Sequence, residues 1–283
     1  MLRRTRMRLS QRALRLGLLA AASNQHTGPV PDLEGTVVVE TTFGTLHLHA
    51  HDRWVTRHLL DHRSWEPGET ALFGAHLRPG MTFVDVGAHV GYYTVMAGRL
   101  VGPRGLVAAF EPNPRNFELL LANVWRNGLA NVVCFPWAVA AETGFTELHL
   151  AGDNTGDHRI YASGESRPTI AVRTVALDDF DALRAPVDVV KVDVQGAEEG
   201  AIRGMERLLA GSPNVLVSAE YWPAGLREFG SDERHLLDYY RSLGFDLRVQ
   251  NPEVPGVEQL SDDEILAACA GDLHTNLILT RPG

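Results

Sequence analysis

From Met81 onward the chain alternates between two kinds of segment. Short apolar runs at residues 82–86, 106–110, 132–137, 187–192 and 215–219 are separated by amphipathic stretches at 92–101, 114–127 and 197–210. A short run that is apolar throughout, without a polar alternate, reads as a strand covered on both faces. Such strands, spaced by helices, build βαβ units and therefore a parallel sheet with helices on either side. Residues 245–250 and 275–280 are two further strand candidates and pair antiparallel at the sheet edge. The expected fold class is α/β: doubly wound, mostly parallel, with an antiparallel edge strand.

Ahead of this region the rhythm differs. Residues 22–35 are rich in turn formers and read as a linker. Residues 36–42 and 44–50 alternate around Phe43-Gly44 and predict a β-hairpin. Helical stretches follow at 54–62 and 67–77, and Arg78-Pro79-Gly80 ends the second. Three parts are expected: a basic leader and linker at 1–35, a hairpin and helical cap at 36–80, and the α/β domain at 81–283. Within the last, alternating segments at 146–150 and 169–175 flank a polar loop, 153–160.

The chain has 283 residues and a net charge of −9, unevenly spread. Six arginines fall within the first fifteen residues and no acid precedes Asp32, so the remainder carries −15. A body this acidic opposes a nucleic-acid partner, because phosphate contacts need a basic face. The apolar stretch after Arg15 is short for a signal peptide, so the leader reads as a basic amphipathic or disordered segment. No run approaches the roughly 20 apolar residues of a membrane span. Cys134 and Cys269 are the only cysteines and offer neither a disulfide framework nor metal spacing. The expected location is cytoplasmic, without membrane attachment.

Ligands of open parallel sheets bind outside the carboxyl ends of the strands, at the point where the strand order reverses. Here those ends are acidic. Asp85, Gly87 and Gly91 follow the first strand, Glu111 the second, Asp193 and Gln195 the fourth, and Glu220 the fifth; Trp137 and Ala138 close the third. One strand-end acid is often a helix cap. Four on one edge read as a site, since carboxylates are rarely buried without partners. The turn after Asp85 is not a phosphate cradle. A dinucleotide G-x-G-x-x-G would need Gly at His89 and Tyr92, and a P-loop would need Lys after Gly91. Glu111 lies one βα unit downstream, where an acid accepts ribose hydroxyls. A cationic nucleoside without phosphate suits this set, and S-adenosylmethionine is such a molecule.

The ordered pieces Asp85-Val-Gly-Ala-His-Val-Gly-Tyr-Tyr-Thr94, Phe110-Glu-Pro-Asn-Pro114, Asn154-Thr-Gly-Asp-His-Arg159, Leu177-Asp178 and Lys191-Val-Asp-Val-Gln-Gly-Ala-Glu198 carry a family likeness. Over about residues 52–280 the chain resembles the FkbM family of S-adenosylmethionine-dependent methyltransferases. The resemblance implies a Rossmann-like methyltransferase sheet. It implies that Gly87, Ala88, His89 and Gly91 wrap the methionine part of the cofactor, with Asp85 behind them. It places Tyr93 and Thr94 near the cofactor carboxylate, Glu111 at the ribose, and Asn113 with Trp137 and Ala138 beside the adenine. It also implies methylation of an oxygen on a natural product, a polyketide or a sugar-containing molecule. One departure stands: Gln195 occupies a position where the family often has Glu.

Methyl transfer to a hydroxyl needs alignment and a proton acceptor. Asp193 leads as that acceptor, since the apolar run before it would desolvate it. His158 is second, with an ordinary pKa of about 6.5 that suits neutral pH, and Glu220 is third. The structural alternatives are that Asp193 anchors the cofactor ammonium and that His158 is satisfied by Asp157 or Arg159. Asp193 and Glu220 also resemble half of a Mg²⁺ site. The sequence fixes no third ligand, so no metal residue is assigned. Trp54, Trp65 and Trp222 are packing residues or the lining of an apolar acceptor pocket. The partner is a small-molecule acceptor, and a homo-oligomer is left open. Rival readings are an N-methyltransferase, an NAD-dependent oxidoreductase and a non-catalytic binder.

Overall fold

The computed structural model describes residues 33–162, 164, 166–183 and 186–282. Most of the leader expected at 1–35 lies outside the described residues.

The main sheet has seven strands. In chain order these are β3 (Thr82–Val86), β4 (Leu106–Phe110), β5 (Val132–Phe135), β9 (Val189–Val192), β10 (Leu216–Tyr221), β11 (Asp246–Gln250) and β12 (Thr275–Thr280). Their spatial order is β11-β12-β10-β9-β3-β4-β5. β3, β4, β5, β9 and β10 run parallel to one another. β12 runs antiparallel to both β10 and β11, so the reversed strand stands one place in from the edge. The chain builds outward from β3 to β5, then returns to the other side of β3 to lay down β9. The switch point lies between β3 and β9.

Every residue of β3 and β4 is buried, as two-sided cover requires. Alternate side chains feed two cores. Val84, Val86, Ala108, Val190, Val192 and Val217 join one, with Leu236 and Leu237 of a C-terminal helix. Phe83, Val107, Ala109, Val189 and Leu216 join the other. Each such side chain, fully buried, contributes about 1.5–3 kcal/mol.

β1 (Thr36–Thr41) and β2 (Gly44–His49) form the expected antiparallel hairpin. Helices α1 (Val55–His62) and α2 (Pro67–His76) follow. Val39, Leu46 and Leu48 of the hairpin share the second core with α3 (Tyr92–Val101) and α4 (Pro114–Arg126). Asn123 on α4 and Asn127, which caps its C-terminus, seal the free edge of β2. Asn123 accepts from the His47 amide at 2.6 Å and donates to its carbonyl at 3.0 Å; Asn127 does the same for Thr45 at 3.2 and 2.8 Å. An edge whose backbone groups are occupied cannot recruit another strand.

Three expected elements differ in extent. The run 132–137 breaks at Pro136, which has no amide for a ladder. Trp137 instead opens β6 (Trp137–Val139), which joins β7 (Gly144–His149) and β8 (Thr169–Val175) in a small second sheet. The helix expected over 197–210 is two, α5 (Glu198–Arg203) and α6 (Glu206–Ala210). A Cβ on Gly204, between them, would stand 2.0 Å from the Ala140 carbonyl oxygen, so the chain presses on its neighbour there and the helix is interrupted. β10 extends to Tyr221, so Glu220 lies within that strand rather than after it. Three C-terminal helices complete the fold: α7 (Pro223–Phe229), α8 (Glu233–Ser242) and α9 (Asp262–Ala268). Among the described residues no helix is long and apolar enough to cross a membrane. Cys134 and Cys269 are both buried.

Candidate active site

A cleft of about 440 Å³ opens at the switch point. Its floor is a polar row crossing one face of an otherwise apolar sheet. Asp85 on β3 is in register with Lys191 on β9, and Lys191 with Ser218 on β10. Glu69 of α2 covers the row, accepting from the Ser218 hydroxyl at 2.6 Å and standing 4.0 Å from the Lys191 ammonium. Lys191 also bonds Asp193 at 2.8 Å and lies 5.0 Å from the centre of the Tyr93 ring. Burial alone would strip its proton, but the surrounding carboxylates, Asp193 first, hold its pKa above the ordinary lysine value. Burial pushes Asp85 up to about 6 against the pull of Lys191 and of the Thr94 hydroxyl, 2.5 Å away.

The turn after β3 supplies one wall. Gly87 has φ of 82°, and a Cβ there would meet the Asp193 carbonyl oxygen at 1.9 Å. The amides of Gly87 and Ala88 both donate to the Phe110 carbonyl at 3.0 Å, and the His89 amide donates to Glu111 at 2.8 Å. Glu111 is buried and also accepts from the Asn113 amide at 2.8 Å. Each of its oxygens thus holds one backbone donor and has a lone pair left for another. Burial, opposed by these amides, pushes Glu111 up to about 7. Beyond it Trp137 stacks on Phe135, with ring centres 5.1 Å apart, and carries the Arg173 guanidinium 4.5 Å from its ring centre.

The opposite wall joins two carboxylates through an amide. The Gln195 side chain donates to Asp193 at 2.9 Å and to Glu220 at 3.0 Å. Burial would raise Asp193, but the Lys191 ammonium outweighs it and the pKa falls below the ordinary range. Burial raises Glu220 well above the ordinary range, and the charges of Asp193, Glu198 and Glu66 add to it. Among the described residues, no three His, Cys, Asp or Glu side chains are grouped to hold a metal ion.

The loop at 153–160 forms the outer lip. Asp157 takes Arg159 and Arg167, each at 2.7 Å, leaving His158 to other partners. The Ala151 amide donates to His158 Nδ1 at 3.0 Å, and burial pushes that imidazole down to about 4. Thr155 donates its hydroxyl to Asp52 at 2.5 Å and contacts His89 Nε2 at 2.8 Å. The Arg159 guanidinium lies 4.6 Å from the Trp222 ring centre. Trp54, Trp65 and Trp222 all line the cleft.

Among the described residues, four non-glycine residues have positive φ. One, Arg63, ends α1. The other three, Glu66 at 39°, His89 at 50° and Gln195 at 55°, all line the cleft. Each such conformation costs on the order of 1–3 kcal/mol and persists where the surroundings over-determine it.

Of the residues singled out from sequence, Asp85, Gly87, Ala88, His89, Tyr93, Glu111, Trp137, Ala138, His158, Asp193 and Glu220 line the cleft. Three do not, for identifiable reasons. Thr94 is fully buried and spends its hydroxyl on Asp85. Asn113 caps α4 by accepting from the amides of Arg115 and Asn116. Gly91 opens α3 against Leu120. Asp178 has a structural role too, accepting from the Arg207 and Leu208 amides at 2.8 Å to hold the start of α6. The sequence reading missed Lys191, Glu66, Asp52 and Thr155. Lys191 carried a signal: a lysine inside Val189-Val-Lys-Val192 must find an acid once buried.

This strand order, with a glycine turn at the switch point and an acid on the next strand end, defines the class of S-adenosylmethionine-dependent methyltransferases. A family model described as the methyltransferase FkbM domain matches residues 85–247. The chain belongs to the FkbM methyltransferase family. It is 30% identical over 166 residues to the 31-O-demethyl-FK506 methyltransferase FkbM of Streptomyces tacrolimicus, a match covering 47% of this chain and 62% of that protein. It is 44% identical over 62 residues to a probable cobalt-precorrin-6B C(15)-methyltransferase of Sulfolobus acidocaldarius, covering 22% of this chain and 32% of that one. The chain thus spans less than two thirds of these relatives. Similar solved structures include a methyltransferase FkbM from Methylobacillus flagellatus, with TM-score 0.46 and 13% identity over 74% of this chain and 50% of that one. Another is M. jannaschii TYW2 in complex with AdoMet, with TM-score 0.49 and 15% identity over 88% of each chain.

Proposed function

We propose that this chain methylates a hydroxyl group of a small molecule, using S-adenosylmethionine. The observation that carries the reading is the pairing of a backbone cradle at Gly87 with carboxylates on both walls of one cleft. The glycine has no room for a Cβ because the Asp193 carbonyl lies against it, so the ends of β3 and β9 close up at the cleft. The two walls supply Glu111 on one side and the bridged Asp193 and Glu220 on the other. Such a donor set fits a cationic nucleoside. When bound, that cofactor supplies an electrophilic methyl group on sulfur.

The chain's own residues do the rest. Glu111 holds the ribose through its two remaining lone pairs. The segment at Trp137 and Ala138 borders the adenine. Asp193, fixed by Lys191 and Gln195, stays ionised and receives the cofactor's ammonium group. Glu220, held by the Gln195 amide and not committed to Lys191, is the carboxylate that in its ionised form takes the proton of the reacting hydroxyl. His158 already accepts at Nδ1, so its neutral ring carries hydrogen at Nε2 and acts as a donor rather than a base.

Three tryptophans around the cleft suit an apolar or ring-bearing acceptor. The acidic body supports a small molecule over a nucleic acid. The name of the Streptomyces relative, 31-O-demethyl-FK506 methyltransferase, supports oxygen as the methylated atom. Calorimetric titration with S-adenosylmethionine, with NAD as control, tests the reading. Saturable binding of the first alone is expected. Binding of NAD alone would overturn it.

A further inference from the structure

The cleft contains two imidazoles whose hydrogens are placed by the protein. Thr155 has one hydroxyl hydrogen, and Asp52 takes it at 2.5 Å, since an ionised carboxylate only accepts. Asp52 is held ionised: burial works against it, but the hydroxyl and amide of Thr155 and the amide of Thr56 bring its pKa below the ordinary range. Toward His89, 2.8 Å away, the Thr155 oxygen can therefore only accept. His89 must carry its hydrogen at Nε2 and present a bare lone pair at Nδ1. That Nδ1 has no hydrogen-bond partner among the described residues and is not one of the enclosed polar atoms. His158 has the opposite polarity. Its Nδ1 accepts from the Ala151 amide, so its Nε2 offers a hydrogen, again without a partner among the described residues. Both rings line the cleft, and His158 lies three residues along the outer-lip loop from the Thr155 that His89 contacts.

Resting on the methyl-transfer reading above, we infer that His158 Nε2–H and His89 Nδ1 form a subsite for a neutral hydroxyl of the acceptor, with Thr155 and Asp52 as the residues that position His89. A hydroxyl both accepts and donates, so it satisfies both rings. An ammonium group, which only donates, would leave His158 unpaired; a carboxylate, which only accepts, would leave His89 unpaired. A polar group left unpaired when the ligand displaces its water weakens binding, and that penalty sets the selectivity.

This hydroxyl is separate from the one that loses its proton to Glu220. His89 follows β3, Asp193 follows β9, Glu220 lies on β10, and β9 stands between the other two strands. Strands two places apart are about 10 Å apart at the backbone. An acceptor that reaches both subsites carries at least two hydroxyls, so the substrate class is a polyol with an apolar body.

Long-range ¹H–¹⁵N NMR of the histidine rings tests this without knowledge of the acceptor. In the protein alone at pH 7, both rings should be neutral with hydrogen on Nε2. Thr155→Val should disturb the His89 tautomer and leave that of His158, and Thr155→Ser should restore it. In protein saturated with S-adenosylhomocysteine, cyclohexanol should shift His89 Nδ1 and His158 Nε2, and cyclohexylamine should shift neither. A His89 ring with hydrogen on Nδ1 in the wild-type chain would overturn the subsite. So would an Nδ1 signal that moves with S-adenosylhomocysteine and ignores cyclohexanol, because the lone pair would then serve the cofactor. If S-adenosylhomocysteine fails to bind, the methyl-transfer reading falls, while the ring tautomers still decide whether the subsite exists.

Discussion

Glu111 illustrates how one buried side chain ties ligand recognition to pH. Its pKa is pushed up to about 7 by burial. A raised carboxyl favours the protonated fold, so its contribution to stability is present below about 4.5 and is lost as pH rises through 7. Ribose hydroxyls, which donate, prefer the ionised form. Affinity for S-adenosylmethionine should therefore rise as pH climbs through about 7 and then level off, as calorimetry at fixed ionic strength would read. Glu111→Gln should remove that dependence. It should also weaken binding by about 1.5–3 kcal/mol, the scale of a charged hydrogen bond, or roughly 10- to 150-fold. Gln195 gives a second residue-scale prediction. Gln195→Glu replaces the bridging amide with a third carboxylate between Asp193 and Glu220. The variant should lose about 1–3 kcal/mol near neutral pH and recover part of it in mild acid, as thermal unfolding at pH 6 and pH 8 would resolve. The strand-end acids were legible in the sequence because parallel-sheet topology places strand ends together. Asp52 and Thr155 were not. They are 103 positions apart, and only the folded chain brings them together.

Among the elements, strands were easier to read than helices. Burial on both faces forces a strand of the main sheet to be apolar throughout, and that leaves a run visible in the chain. The helices α8 and α9 bury narrow faces and left a weaker apolar pattern, though both carried start signals. Asp232 caps α8 by accepting from the His235 amide at 2.8 Å, and Ser261 with Glu264 forms a capping box at α9. Ser261→Ala should cost about 1 kcal/mol, measurable as a shift in the denaturant midpoint. Asn123→Ala should cost more, because it strands the amide and carbonyl of His47 at a buried edge. About 2 kcal/mol is expected. Faster hydrogen exchange should be confined to β2, with the main-sheet amides unchanged.

At the scale of the whole molecule, the cleft gathers acids whose folded pKa values lie above their unfolded ones. Asp85 stands at about 6 and Glu111 at about 7, and Glu66 and Glu220 are also raised. Each contributes stability that is lost as pH rises through these values; Asp193 and Asp52, both lowered, act in the opposite sense. The unliganded protein should thus lose stability between about pH 5 and 7. A cationic ligand that binds the ionised cleft should restore more at pH 8 than at pH 6, approaching about 2.7 kcal/mol at a hundredfold excess over Kd. Thermal unfolding with and without S-adenosylmethionine at the two pH values measures both.

The placement of β12 has a consequence for synthesis. It follows every other strand in the chain, yet it is inserted between β10 and β11. A growing chain emerges from its N-terminal end, so β10 keeps an open edge until this late segment arrives. Glu220 on β10 pairs across to Asn276 on β12, which means that a wall of the cleft acquires its neighbour only then. A nascent chain can assemble the glycine turn and the first strands early, but the competence of the cleft is deferred to the last strand. A chain released before β12 would hold most of its sheet and lack an ordered Glu220 wall.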